Sequence, residues 1–175
     1  MGIRQPDRRV PAAELWSLAR DLLDASTLCA IATVSPDQAA HVNTAYFAWS
    51  DLLDLVWLSE PAAKHSRNLG ERSTAAIAVY DSGQTWGDSD RGIQLLGVAG
   101  AATGQTASEA EAIYTARFPG YGAEVGVEAY LFYRFRPQLV KLFDETSLGS
   151  GVIVTARVTE GALGWVSTEV YGPEP

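Results

Sequence analysis

The sequence lacks residues on which several classes of protein depend. Its 175 residues include one cysteine and two histidines, so an intrachain disulfide is excluded and no spacing signature of a metal site is present. The cysteine, Cys29, lies in the apolar stretch Leu28–Ala32, where a free thiol packs like a small hydrophobic side chain. We therefore predict no metal centre and a buried, structural Cys29.

Positive charge and long apolar runs are also scarce. The chain has 13 Lys and Arg against 21 Asp and Glu, a net charge of −8, whereas surfaces that bind nucleic acid carry excess positive charge. No apolar run approaches the roughly 20 residues of a membrane helix, and the charged segment Met1–Arg9 is not followed by the apolar stretch of a signal peptide. We predict a cytoplasmic protein that binds neither nucleic acid nor membrane.

Two familiar motifs of enzymes are missing as well. The sequence has no Gly-x-Ser-x-Gly nucleophile elbow, which argues against a serine hydrolase. The glycines at Gly149–Gly151 lack the further glycine and the strand-to-helix context of a nucleotide-binding loop, so they predict a turn. A small phosphorylated ligand remains compatible with the acidic composition, because charges beyond about 8 Å are largely screened at physiological salt.

The length and composition are those of one folded domain. The chain is 47% hydrophobic and 19% charged, which is typical of globular proteins, and at this length about 70% of the unfolded surface can be buried. We predict a single domain over residues 1–175, with its core at about 14–158. The C-terminal tail, 161–175, shows little periodicity.

Apolar spacing and turn residues predict three helices and six or seven strands. The helices are expected at Pro11–Ala25, at Glu60–Gly70 with Ser59 or Glu60 as its cap, and from the capping-box match Thr106–Glu109 to about Arg117. The strands are expected at Thr27–Val34, Ala39–Trp49, Leu55–Ser59, Thr74–Tyr80, Gly92–Thr103, Ala129–Asp144 with an interruption at Pro137, and Val152–Val158. Short connections favour antiparallel pairing, and closure removes exposed edges. The fold class predicted is mainly β with α, an antiparallel barrel with peripheral helices.

The densest polar chemistry lies in Ser59–Asn68. Its second half, Lys64–Asn68, places five polar side chains within about 1.3 helical turns. A phosphate dianion needs several hydrogen-bond donors and positive charge, which Lys and Arg supply, and the amides of a helix start add donors. The same run is also typical of a solvated helix whose charges face water. On this run alone both interpretations stay open.

A second candidate is the strand that begins at His41. Alternation places His41, Asn43 and Ala45 on one face and Val42, Thr44 and Tyr46 on the other. The first face carries polar groups that suit a ligand, but an exposed polar strand face needs no function, so this interpretation is also open.

The order of these segments resembles the FMN-binding split β-barrel family related to pyridoxamine phosphate oxidase. The similarity covers roughly residues 14–145. It includes the strand His41–Trp49, the strand Leu55–Ser59, the stretch Pro61–Leu69, the strand Ala75–Asp81 and the stretch Arg91–Ala99.

The resemblance implies a role for each of these segments. In that family the strand matching His41–Thr44 lines the flavin ring and ribityl chain, while the strand end matching Trp57–Ser59 and the helix start matching Lys64 and His65 bind the phosphate. The strand matching Arg91–Gln94 approaches the ring from the partner subunit or the facing wall. The cofactor-binding residues implied are His41, Val42, Asn43, Thr44, Trp57, Ser59, Lys64, His65, Ser66, Arg67 and Gln94. Lys64 and Arg67 are expected to supply the charge.

Two departures separate this chain from the true oxidases. They carry an arginine where His41 stands, and they carry a C-terminal motif with Arg and Asn that the segment Arg136–Gly151 does not match. The resemblance therefore implies an FMN-dependent oxidoreductase without pyridoxal phosphate synthesis.

The implied assembly is a homodimer with flavin at the interface. It would act on a small-molecule substrate, with an electron donor such as NAD(P)H. The flavin would carry the redox chemistry, and no residue is assigned as an acid or base. The alternative on the same fold is a non-catalytic or sensory protein that binds flavin, deazaflavin or haem.

Overall fold

A computed structural model describes residues 2–81, 83–121 and 129–172, and it contains more β-strand than helix. The strands are β1 (Gly2–Arg4), β2 (Leu28–Val34), β3 (Ala40–Trp49), β4 (Leu55–Ser59), β5 (Thr74–Tyr80), β6 (Arg91–Ala101), β7 (Leu131–Asp144), β8 (Val152–Thr159) and β9 (Ala162–Gly172). The helices are α1 (Ala12–Asp24), α2 (Lys64–Glu71) and α3 (Gln105–Arg117).

The strands form one sheet that closes on itself. Their order is β1-β9-β8-β7-β4-β3-β2-β5-β6, and β6 pairs in addition with β7. That last pairing closes six strands into a barrel and leaves β8, β9 and β1 as an extension from β7. The registers between β2 and β3, β3 and β4, β4 and β7, β7 and β8, and β8 and β9 are all antiparallel. The predicted fold class, mainly β with an antiparallel barrel and helices, is confirmed.

The chain divides into two compact units. The first contains the residues up to Ser26, Ala78–Leu95 and the residues from Gln138 onward, and the second contains Thr27–Ile77 and Leu96–Pro137. The first unit therefore holds β1, α1, β8 and β9, and the second holds β2, β3, β4, α2 and α3. Strands β5, β6 and β7 have residues in both units.

The core of the second unit lies across neighbouring strands. The registers place Phe47 beside Trp57 and Trp57 beside Tyr133, and all three side chains are buried. Helix α3 covers the other face of β4, where Val56 packs in a buried cluster with Tyr114. Because both of its faces are covered, β4 is apolar along most of its length rather than alternating.

Cys29 belongs to the buried face of β2. Its side chain is 2% exposed, and burial raises the pKa of its thiol to about 12. The prediction of a buried, structural cysteine is confirmed, because a thiol with so high a pKa forms little of the nucleophilic thiolate at neutral pH.

The first unit contains two strands that the sequence patterns did not predict, β1 and β9. Helix α1 buries the predicted stripe of Leu15, Leu18, Ala19, Leu22 and Leu23. The supposed tail, however, forms β9, which pairs with β8 from Ala162 to Val170. Backbone pairing holds this strand although most of its side chains are half-buried or exposed, so it has no clear alternation to detect. Residues 173–175 lie outside the described part of the chain.

Three local predictions were wrong. Helix α2 begins at Lys64, with Ala63 as its N-cap and no capping side chain, so neither Ser59 nor Glu60 caps it. Helix α3 begins at Gln105 after Gly104, whose φ of 53° suits glycine. Thr106 therefore lies inside the helix and hydrogen-bonds to Thr103 instead of capping.

The third correction concerns Pro137, which does not interrupt β7. The paired residues with β4 end at Phe135, and those with β8 begin at Leu139. Pro137 falls between these two ladders, so neither β4 nor β8 takes an amide donor from it.

Candidate functional site

Strand β3 presents the two faces that the alternation predicts. His41 and Asn43 are half-buried and lie on one face of the sheet. Their partners on β2, Thr33 and Ile31, are buried on that same face. Val42 and Thr44 lie on the opposite, exposed face, and Val42 is 61% exposed. The side chains of these four candidates are therefore divided between two surfaces of the second unit.

The end of β4 and helix α2 are joined by a buried polar cluster of three side chains, Ser59, His65 and Ser66. The Oγ of Ser59 lies 2.8 Å from Nε2 of His65, and the hydroxyl of Ser66 donates to Oγ of Ser59 over 3.3 Å. All three residues are at least nine-tenths buried. Since buried polar groups need partners, these bonds anchor the helix to the strand.

His65 is held in its neutral form by its surroundings. Burial lowers its pKa below the ordinary value of 6.5, and the nearby His41 lowers it further. The two imidazole rings are almost parallel, with centroids 6.5 Å apart and 7° between their planes. A neutral imidazole has one donor and one acceptor nitrogen, so the bond to Ser59 is satisfied without a charge in the core.

The other face of α2 is charged and exposed. Lys64, Arg67 and Glu71 line a pocket of about 570 Å³ together with Ser35, Pro36, Asp37 and Asn68; we call it the charged pocket. Hydrogen bonding, first from the Ala39 amide, lowers the pKa of the Asp37 carboxyl, and Lys64 adds to this. The guanidinium of Arg67 donates to the Ala62 carbonyl.

Helical geometry thus separates the residues expected at the phosphate. Side chains three or four positions apart share one face of a helix, which groups Lys64 with Arg67 and keeps both away from His65 and Ser66. The structure brings Ser59, His65 and Ser66 together, and it brings Lys64 and Arg67 together in the charged pocket.

The first turn of α2 has no side-chain cap. Its first helical bond runs from the Arg67 amide to the Ala63 carbonyl, and no side chain accepts from the amides before it. The first amides of any helix lack partners within the helix, and such a terminus attracts anions. Of the residues in this first turn, Lys64 lines the charged pocket with Arg67, whereas His65 and Ser66 do not.

Two buried polar atoms near these residues have no hydrogen-bond partner, Oδ1 of Asn43 and Nε1 of Trp57. The indole of Trp57 is fully buried and stacks on Tyr133 with centroids 5.7 Å apart. Its side chain therefore belongs to the core, whereas the half-buried amide of Asn43 retains an acceptor for an outside donor.

Gln94 lies on the part of β6 that belongs to the first unit, whereas the other ten candidates belong to the second unit. It is exposed and lines a pocket of about 290 Å³ with Asp90, Phe143, Glu145, Gly151, Val152, Ile153 and Tyr171. None of the other ten candidates lines that pocket, and the role of Gln94 toward a flavin stays a prediction.

The sequence reading missed two carboxylates of the charged pocket, Asp37 and Glu71. Glu71 follows Arg67 by four residues, so helical spacing would have revealed it. Asp37 lies in the turn between β2 and β3, and only the folded sheet brings it to α2.

Within the described residues no group of three or more His, Cys, Asp or Glu side chains is arranged to hold a metal ion, and no helix there is long and apolar enough to cross a membrane.

Three solved structures place this fold among known proteins. A haem-binding protein from Mycobacterium smegmatis superposes with a TM-score of 0.68 and 21% identity, over 87% of this chain and 59% of that one. A pyridoxinephosphate oxidase family protein from Clostridium acetobutylicum, related to general stress protein 26, has a TM-score of 0.64 and 12% identity over 87% and 99%. A haem storage protein from Vibrio cholerae has a TM-score of 0.57 and 17% identity over 71% and 88%. At these identities the likeness shows the fold.

The family itself is shown by the sequence. None of the curated proteins matches the chain, but the family model described as pyridoxamine 5'-phosphate oxidase matches residues 15–144. This match includes β2, β3, β4 and α2, which carry both the charged pocket and the buried polar cluster. Because it spans well over half of the sequence, the chain belongs to the pyridoxamine 5'-phosphate oxidase family.

Proposed function

We propose that this protein binds FMN, with the phosphate in the charged pocket, and that it is an FMN-dependent oxidoreductase. The observation that carries the proposal is the start of α2. There the uncapped first turn of the helix begins with Lys64, which lines a pocket of about 570 Å³ together with Arg67, within the segment that the family model covers. A phosphate needs this combination of directed donors and positive charge.

The hydrogen-bond donors of the charged pocket fit a phosphate, although the pocket has no net positive charge. Asp37 and Glu71 balance the two cations of the pocket. Directed hydrogen bonds from amides, ammonium and guanidinium would therefore hold the phosphate, rather than net charge. The unpartnered Oδ1 of Asn43 suits an N–H donor such as the pyrimidine edge of a flavin, which supports the role that the resemblance implies for His41 and Asn43.

When bound, flavin supplies the transfer of hydride or electrons between a donor and an acceptor. The residues of the chain bind and orient it. Lys64 and Arg67 fix the phosphate end, and the neutral His65, bonded to Ser59, keeps α2 in position. No side chain is assigned as an acid or base.

The proposal includes a homodimer with flavin at the subunit interface. The register places Leu28 beside Tyr46 on the exposed face of β2 and β3, and Val42 lies on the same face. These three large side chains are 44–61% exposed, and large apolar side chains exposed on one face suit an interface. Val42→Asp should convert the dimer to a monomer in sedimentation velocity, while Thr85→Asp, in a loop of the first unit, should not. A wild-type monomer would contradict this part.

The phosphate assignment is tested by removing both cations. Lys64→Ala with Arg67→Ala should weaken FMN binding by about 10- to 100-fold, because a hydrogen bond to a charged group contributes about 1.5–3 kcal/mol. Binding is measured by quenching of flavin fluorescence. Arg72→Ala removes an exposed cation just after α2 and should leave affinity unchanged.

Riboflavin, which lacks the phosphate, provides the second control. Its affinity should be equal in wild type and the double variant. If FMN affinity stayed unchanged in the double variant, the phosphate would lie elsewhere.

A second candidate function is haem binding, favoured by the pair of nearly parallel imidazoles in the second unit and by the haem proteins among the similar structures. A half-buried histidine such as His41 suits an axial ligand of haem iron. The visible spectrum of the purified protein separates the two candidates, since a Soret band supports haem and flavin bands support FMN. Mass spectrometry of the molecule released on denaturation then identifies it.

A further inference from the structure

We propose that the pocket of the first unit lined by Gln94 binds a small organic cation, one with a flat apolar body and a protonated amine. The lining residues are Asp90, Gln94, Phe143, Glu145, Gly151, Val152, Ile153 and Tyr171; we call this the acidic aromatic pocket. All of them belong to the first unit. The inference goes beyond the proposed flavin function and needs no flavin to be tested.

The walls of the pocket suit a flat apolar body. Phe143, Ile153 and Tyr171 are half-buried, and Val152 is buried, so two aromatic rings and two branched side chains line the space. The volume of about 290 Å³ is just below that of ligand pockets in general, which hold roughly 300–1,000 Å³. A ligand of about one ring and a short side chain is therefore the size expected.

Close packing fixes the position of these walls. A Cβ on Gly151, whose φ is 68°, would lie 2.3 Å from the Tyr171 carbonyl oxygen, and a Cβ on Gly92 would lie 2.5 Å from the Phe143 ring. Glycine is needed at Gly151 so that the backbone can approach the Tyr171 carbonyl, and at Gly92 the end of the Phe143 ring packs over the bare Cα. Backbone packing thus fixes the Tyr171 side of the pocket, and the Phe143 ring rests on the sheet.

Its charge is negative and is not balanced by its own lining. Two carboxylates, Asp90 and Glu145, line the pocket, and no Lys, Arg or His does. Arg91 follows Asp90 in the chain, but its guanidinium lies 3.3 Å from the buried carboxylate of Asp144. Arg91 is therefore paired with Asp144, which does not line the pocket, rather than with Asp90 or Glu145.

Glu145 is oriented by neutral donors. Its carboxylate accepts from the Ser150 hydroxyl at 2.8 Å and the Gly151 amide at 3.0 Å on one oxygen, and from the Asp90 amide at 3.2 Å on the other. These bonds, the Ser150 hydroxyl first, lower the pKa of Glu145. They fix the carboxylate and keep it ionised, but they carry no positive charge to cancel its own.

Two further polar side chains of the pocket have no partner among the described residues. The carboxylate of Asp90 and the side-chain amide of Gln94 form no hydrogen bond or ion pair with them. A protonated amine suits this rim, since it donates several hydrogen bonds to carboxylate and amide oxygens. The faces of the aromatic rings also attract a cation, whereas the two carboxylates repel a phosphate or another anion.

The test is a titration of the full chain, without flavin, by protein-observed NMR. Benzylamine, the neutral benzyl alcohol of equal size, and benzoate serve as probes. Benzylamine should shift the amide signals of Gly151 and Ile153 and bind at least about tenfold more tightly than benzyl alcohol, and benzoate should not bind. Equal affinities of benzylamine and benzyl alcohol, or no binding of benzylamine, would overturn the proposal.

Matched variants locate the charge that is responsible. Asp90→Asn keeps the backbone amide that bonds to Glu145, and it should weaken benzylamine binding about tenfold without changing benzyl alcohol binding. Asp88→Asn removes the same charge two residues earlier in the same exposed loop, outside the pocket, and should change neither. If both variants weakened benzylamine binding equally, the effect would come from the general charge of the loop and the pocket assignment would be wrong.

Discussion

The two faces of α2 differ in chemistry although the helix has only eight residues. Its buried face carries His65, Ser66, Asn68 and Leu69. The Asn68 side-chain amide donates to Oγ1 of Thr33 on β2 at 3.0 Å, and Ser66 bonds to Ser59 on β4. The exposed face carries Lys64, Arg67 and Glu71, whose charges remain in contact with water.

The difference separates stability from binding along one helix. Buried polar groups must find partners within the protein, and the partners of this face lie on β2 and β4, so its role is to hold the helix. Long charged side chains stay exposed and are available to a ligand. The adjacent polar residues of α2 therefore form two sets, a buried set that holds the helix and an exposed set that is available to a ligand.

The largest effect that tests this comparison is on stability. Leu69→Ala removes a buried side chain and should lower the free energy of unfolding by about 2–5 kcal/mol, through lost burial and the cavity left behind. Arg67→Ala on the exposed face should change it by no more than about 0.5 kcal/mol. Urea denaturation followed by circular dichroism measures both. Equal losses in the two variants would show that the exposed face also supports the fold.

The sequence could predict this division only in part. Helical spacing groups Lys64, Arg67 and Glu71 on one face once the helix is known to begin at Lys64. A helix start at Glu60, with Ser59 or Glu60 as the cap, predicts instead that the polar side chains of Lys64–Asn68 form a single group of donors. Which face would be buried also depends on Thr33 and Ser59, and Thr33 reaches Asn68 only through the folded sheet.

The same limit applies to the fold. Strand β4 was predicted with its observed bounds, Leu55–Ser59, because an apolar run between clear turn residues is a local signal. Strand β9 was missed because Gly164 and its small or half-exposed neighbours give no alternation, and its evidence is the backbone pairing with β8. Patterns along the chain predict buried elements, whereas pairing partners that lie far apart in sequence must be seen in the structure.

A smaller effect on the buried face is its dependence on pH. Burial, and then His41, lower the pKa of His65 below 6.5, so between the two values the unfolded chain binds more protons than the folded one. The contribution of His65 to the free energy of unfolding should therefore be fully present above pH 6.5, and it should be lost as the pH falls below that value. Denaturation curves from pH 8 to pH 5 measure the loss.

Two variants assign that loss. His65→Gln keeps a hydrogen-bonding group toward Ser59 and should remove the step below pH 6.5. His41→Gln should retain most of it, because burial is the larger cause and is unchanged. The same acid-side slope in His65→Gln as in wild type would mean that another group produces it.

The smallest effect concerns the exposed face and decides where an anion binds. Glu71→Gln removes one carboxylate from the charged pocket, so inorganic phosphate and FMN should bind about two- to threefold more tightly at low salt, the scale of an exposed charge pair. The gain should shrink as salt rises, because exposed charges are screened. Glu14→Gln, in the exposed first turn of α1, should have no effect. If Glu71→Gln left phosphate affinity unchanged while Ser66→Ala lowered it, the anion would be held by the buried polar cluster, and the two faces would have exchanged the roles proposed for them.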